Sequence, residues 1–240
     1  MTSASTWFSA FPIQPATEAV EALQAAWRYF AEKPLPNFNP KTKEPELTKA
    51  LKIYVENVTA RERGLLGMWA AENVIGEVDP TTGKIIEERR TDIVYGWNDN
   101  SQSLELVFEF KRLGRQKSDR KHYLGTRGLG RFVSGIYSRR QAVAGMVGVL
   151  LDPETEVIPP LLKAFEDSDV ATELRLRKTA AGNPYDQPSA LFKAADFDTE
   201  HERAADLAPT HGHIRVAHFF LKFGYPTSTK KAKAKAKPKA

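Results

Sequence analysis

The chain has 240 residues, 41% of them apolar, and a formal net charge of +5, which suits one large domain, or one domain with an appendage, around a sizeable core and excludes a fibrous or wholly disordered chain. It contains no cysteine, so disulfides, thiolate metal sites, iron–sulfur clusters and cysteine nucleophiles are excluded. No apolar run approaches the roughly 18 residues of a membrane span, and the start MTSASTWFSA lacks the blocks of a signal peptide, so a soluble cytoplasmic protein with no membrane partner is expected.

The segment Thr17 to Glu32 spaces Val20, Leu23, Trp27 and Phe30 by three and four, with Glu18 and Glu21 in its first turn, and predicts an amphipathic helix. After the breaker EKPLPNFNPKTKEP a second helix starts near Pro45, with Leu47, Ala50, Leu51, Tyr54 and Val58 as its buried stripe. Thr59 to Asn73 reads as a third helix. The period then changes from 3.6 to 2, predicting strands at Val74 to Val78 and Lys84 to Glu88 around the turn DPTTGK. Thr91 to Trp97 and Leu104 to Lys111, separated by NDNSQS, predict an antiparallel hairpin. Gly128 to Tyr137 is expected to be a helix. The apolar run AVAGMVGVLL from Ala142 to Leu151 is expected to be a strand buried on both faces. One or two helices over Pro159 to Lys178, a loop-rich stretch from Ala181 to Pro209 and a strand from His213 to Phe223 complete the chain. This order predicts an α/β fold, a mixed central sheet flanked by helices.

Charge is unevenly placed. Six lysines lie in Lys230 to Ala240, and removing them from +5 leaves about −1 for the body. That tail, KKAKAKAKPKA, is expected to be disordered, either touching phosphates weakly or merely solubilising the chain. Within the body, Lys111 to Arg140 holds ten Lys or Arg against the single acid Asp119, an excess that either meets phosphates or forms a solvated face.

In Leu104 to Lys111 the alternation puts Leu104, Leu106, Phe108 and Phe110 on one face and Glu105, Val107, Glu109 and Lys111 on the other. Asp92 opens the neighbouring strand, within reach of Glu109. Two converging carboxylates suit a hard cation such as Mg²⁺ or Mn²⁺, and a lysine beside them can position or deprotonate a water. The same pair would be unremarkable on a solvent-facing strand.

Asp92, a hairpin, Glu109-Phe110-Lys111, a helix and a buried strand together resemble the PD-(D/E)XK nuclease superfamily, across roughly Glu44 to Asp152, with Thr91 standing where that name has proline. The resemblance implies a restriction-endonuclease-like fold and a metal-dependent endonuclease. Asp92, Glu109 and the Phe110 carbonyl would ligate the metal, and Lys111 would act on the attacking water. An early-helix glutamate would join them, with Glu46 the first candidate and Glu56, Glu62 and Glu72 behind it. The substrate implied is nucleic acid, with DNA favoured over RNA through the resemblance alone, in restriction or phage defence, with a homo-oligomer or a defence-complex protein as further partner. The alternative is a silent nuclease-like subunit that binds nucleic acid or scaffolds a larger complex.

Arg112, Arg115, Lys117, Arg127 and Arg131 are the expected nucleic-acid contacts, with the start of the Gly128 helix as a phosphate seat. His211 and His213 are weak zinc candidates without a third ligand, and His218 is expected to be a satisfied core histidine. The expected organisation is an N-terminal helical extension over 1–40, a nuclease-like domain over 41–226 and the tail over 227–240.

Overall fold

A computed structural model describes residues 11–208 and 212–227; the Lys-rich tail and His211 lie outside the described residues. The first helix, α1 (Ile13–Ala31), buries Ala16, Ala19, Val20, Leu23, Ala26 and Trp27, the three-and-four spacing expected of it. The Trp27 indole N–H donates to the Lys222 carbonyl at 2.9 Å, and its ring packs on Phe38 and Phe223. The helix expected as an extension therefore shares one core with Phe223 and the strands of the sheet.

Helix α2 (Glu44–Tyr54) carries its proline in the first turn and buries Leu47 and Leu51. A π-helical turn, Val55–Thr59, leads into α3 (Ala60–Glu62). The helix expected over Thr59 to Asn73 stops there instead. Gly64 turns the chain at φ +67°, and at Gly67 a Cβ would stand 2.2 Å from the Tyr95 ring, so the backbone passes against that ring in a way only glycine allows.

The sheet is built from β1 (Met68–Val78), β2 (Ile85–Asn98), β3 (Ser103–Leu113), β4 (Val143–Leu150), β5 (Phe197–Glu202) and β6 (His213–Leu221). Its order is β1-β2-β3-β4-β6-β5. β1, β2 and β3 are antiparallel neighbours, β4 runs parallel to both β3 and β6, and β5 pairs antiparallel with β6. The fold is thus α/β, a six-stranded mixed sheet flanked by helices. All eight residues of β4 are buried, as the apolar run AVAGMVGVLL predicts.

The alternation in β3 holds. Leu104, Leu106, Phe108 and Phe110 join the core beneath α1 and α2, while Val107 and Leu113 join a second core on the opposite face. That second face is covered by α4 (Lys117–Leu124), α5 (Gly130–Val133) and α6 (Glu154–Phe165), followed by α7 (Ser168–Glu173).

Three differences from the sequence expectation have local causes. Helix α4 is too polar to show a stripe, since it buries only Tyr123 and Leu124. The helix expected over Gly128 to Tyr137 shrinks to the four residues Gly130–Val133, and Gly135, just past its end, turns the chain at φ +72°. Strand β5 falls inside the expected loop because its inward residues Thr199 and His201 are polar and bonded to each other, which hides the alternation. Among the described residues no helix is long and apolar enough to cross a membrane.

Candidate active site

Strands β2 and β3 stay in register as far as Ile93 opposite Phe108, and there their ladder ends. One step further the same register sets Asp92 opposite Glu109, on a shared face, since directly opposed antiparallel residues point the same way. Asp92 replaces the lost backbone partner: its Oδ2 accepts the Phe110 N–H at 2.8 Å. The strands part here, and the acidic side chains occupy the parting.

Glu109 has 0% of its surface exposed. Its Oε1 lies 2.8 Å from Lys111 Nζ and accepts from an Arg131 Nη at 3.0 Å. Its Oε2 is buried with no hydrogen-bond partner among the described residues. Lys111 Nζ also donates to Glu44 Oε1 at 3.0 Å and to the Phe110 carbonyl at 2.5 Å. The other Glu44 oxygen accepts the Arg112 N–H at 3.0 Å, so the start of α2 is fastened to β3. Arg131 bonds the Tyr137 hydroxyl, which in turn donates to the Arg90 carbonyl.

The electrostatics follow from burial. Glu109 is pushed up to about 8, first by loss of water and then by the Asp92 charge, against the pull of Lys111 and Arg131. Asp92 is raised as well, chiefly by burial, with Lys111 and the Phe110 N–H opposing. Burial works against the Lys111 ammonium, but Glu109, Glu44 and Asp92 outweigh it and hold its pKa above the ordinary lysine value. The carboxylates around Lys111 therefore hold it in its charged, hydrogen-bond-donating form.

Asp92, Glu109, Lys111 and the Phe110 carbonyl are brought together as the motif predicts, although that carbonyl is already engaged by Lys111. Glu46 is corrected. It is exposed on α2, and Glu44, two residues and about 200° earlier around the helix, makes the contact. Glu62 is exposed, while Glu56 and Glu72 pair with Lys52 and Lys49.

The basic residues divide. Arg131 belongs to the carboxylate cluster, Arg112 is held to the Pro40 carbonyl at 2.5 Å, and Arg115 pairs with Glu156 at 3.2 Å. Lys117 and Arg127 are exposed. Arg127, Arg131, Arg112, Lys111 and Glu44 line a cleft of about 530 Å³. The phosphate seat expected at Gly128 is corrected: the N–H groups of Gly128, Leu129 and Gly130 already donate to the carbonyls of Gly125 and Tyr123.

Sequence reasoning missed Glu44, Tyr137 and Arg203. Glu44 stood in the same EPE run as Glu46. Arg203 carries no sequence signal at all, yet it is buried and donates to the carbonyls of Phe132, Ser138 and Tyr137 at 2.7–2.9 Å, tying α5, which carries Arg131, to the turn that carries Tyr137. His218 is a satisfied core histidine, bonded to Tyr123 and Thr199 at 2.8 Å each, and His213 contacts Glu200. Among the described residues no group of three or more His, Cys, Asp or Glu side chains is arranged to hold a metal ion. No protein-family model, no curated protein and no solved structure matches the chain.

Proposed function

We propose that the chain is a metal-dependent nuclease of the PD-(D/E)XK kind, with a restriction-endonuclease-like version of its α/β fold, hydrolysing phosphodiester bonds in nucleic acid. What supports this is one relationship: the strand register sets Asp92 opposite Glu109 where β2 and β3 part, with Lys111 bonded to Glu109 and one Glu109 oxygen buried without a partner among the described residues. A buried carboxylate oxygen without a donor costs free energy, and a cation relieves that cost.

The donor set fits Mg²⁺ or Mn²⁺ in one respect. Such ions are commonly held by one or two carboxylates, the rest of their shell coming from water and substrate phosphate, so two acids suffice although the described residues form no three-ligand group. When bound, the ion would neutralise phosphate charge and acidify a water. With the ion in place, Asp92 and Glu109 would supply the negative charge at the parting. Lys111 donates from Nζ and orients, and Glu44 sets where that ammonium points. Arg131 fixes Glu109 Oε1 and adds positive charge at the cleft floor, while exposed Arg127 meets the phosphate backbone. DNA as substrate and a place in restriction or phage defence rest on the resemblance alone.

The rival, a silent binding or scaffolding subunit, draws support from the ion pairs that already occupy Glu109 Oε1. The test is to incubate plasmid, linear duplex and single-stranded substrates with Mg²⁺, Mn²⁺ or chelator. Cutting that needs metal and disappears in Asp92→Asn supports the nuclease. Binding without cutting under every metal supports the rival.

A further inference from the structure

Beside the cleft lies a larger pocket of about 910 Å³, formed where α4 meets α6 and α7, within the size range of small-ligand sites. Leu124 and Leu174, both buried, line it together with Ala164 and Val170. Its rim is basic: Lys117, Arg120, Lys121, Arg127 and Lys163 stand against the two carboxylates of Asp167 and Glu173. Asp167 is already occupied, because its Oδ1 caps α7 through the N–H groups of Asp169 and Val170 at 2.9 and 3.2 Å. His122 and Arg127 line both this pocket and the cleft that holds Lys111.

An apolar floor suits a flat uncharged body, and a cationic rim suits an anion attached to it. One nucleotide joins the two. In a duplex the base faces are stacked inside and only base edges and the backbone reach a protein surface, whereas a single strand can turn a base face outward against apolar side chains. We infer that this pocket takes an unstacked nucleotide of a single-stranded segment whose neighbouring phosphate crosses Arg127 into the cleft. The inference deepens the nuclease reading and rests on it only for the direction the strand takes. Glu173, the rim carboxylate not engaged in capping, would accept from a base amino group and so favour cytosine or adenine over thymine.

The test is binding of a labelled 15-nucleotide DNA by the full chain in chelator, so that no cutting intervenes. Three probes are compared: the single strand, the same sequence as duplex, and the single strand with abasic positions. The single strand is expected to bind about tenfold tighter than the duplex or the abasic strand, the scale of one stacked base. Val170→Trp, which fills the pocket, and Lys163→Glu, which reverses an exposed rim charge, should each remove that preference and leave duplex binding within about twofold. If Val170→Trp fails to fold, Lys163→Glu still decides. Equal binding of all three probes, or a preference unchanged in Lys163→Glu, overturns the pocket assignment. A preference that needs Lys163 in a protein that never cuts keeps the pocket and removes the nuclease reading. Metal-dependent cutting without any preference does the reverse.

Discussion

Asp92 and Phe110 are joined at the point where β2 leaves β3: the carboxylate accepts the Phe110 N–H at 2.8 Å, doing for the end of β3 what a strand would otherwise do. The side chain thus has a structural duty beside its proposed chemical one, and two substitutions separate them. Asp92→Asn keeps an acceptor and should retain the fold while losing cleavage. Asp92→Ala leaves a buried donor unmet and should cost about 1–3 kcal/mol as well. Chemical denaturation and cleavage rates on both variants give the answer; equal stability of the two would remove the structural duty.

Glu109 makes stability depend on pH with a definite sign. Its folded value of about 8 lies above the ordinary 4.5, so between those limits the folded state binds more protons than the unfolded state. Its contribution is therefore fully present below 4.5 and lost as pH rises through 8. Relative to Glu109→Gln, which cannot titrate, the metal-free parent should lose unfolding free energy over that window, whatever constant offset separates the two. Added Mg²⁺ should flatten the difference. A difference independent of pH would show that Glu109 is already fully charged at neutral pH.

A second buried network should respond in the opposite direction. Tyr123 bonds His218 Nδ1, His218 Nε2 bonds Thr199, Thr199 bonds His201 Nε2, and His201 Nδ1 donates to the Leu174 carbonyl. Burial keeps both rings neutral, and because the Leu174 carbonyl can only accept, every hydrogen in the chain is then fixed. Burial depresses His201 to about 4 and His218 well below its usual range. The unfolded state then takes up protons first, and stability falls as pH drops from about 6.5 towards 4. Thr199→Val should cost about 2 kcal/mol or more by leaving two ring nitrogens unmet, with the cleavage site untouched.

Arg203 should behave as a positioning residue. It donates to one carbonyl of α5, which carries Arg131, and to two of the turn that carries Tyr137. Arg203→Met should destabilise by about 3 kcal/mol or more, since three buried acceptors lose their donor. Arg203→Lys, which restores charge without the fork, should keep metal affinity measured by calorimetry while lowering the cleavage rate. Metal affinity falling in step with rate would instead make Arg203 a general fold determinant.

Arg127 and Arg131, equivalent in the sequence, should now differ. Arg127→Ala removes an exposed cation and should reduce the salt slope of nucleic-acid binding by about one, uniformly across sequences. Arg131→Ala removes a partner of buried Glu109, and should leave that slope nearly unchanged while raising the Glu109 pKa further. Titration of affinity against salt for both variants distinguishes them.

Periodicity was enough to determine the hairpin of β2 and β3, the doubly buried β4, the faces of α1 and α2, and the shared face of Glu109 and Lys111. In each case the information is local, because a strand alternates and a helix repeats through neighbouring residues alone. What only the tertiary structure decided depends on contacts between segments far apart in the chain. Glu44 rather than Glu46 meets Lys111 because the angle at which α2 docks on β3 selects one side of the helix. Strand β5 is a strand because Thr199 and His201 find partners in β6 and after α7, a satisfaction that makes polar residues behave as core. Arg131 meets Glu109 from α5, a helix that Arg203, some 70 residues later, ties down through the Phe132 carbonyl. Hydrogen bonds of this kind leave no period behind them, which is why the sequence showed the acids and the lysine but not the residues that orient them.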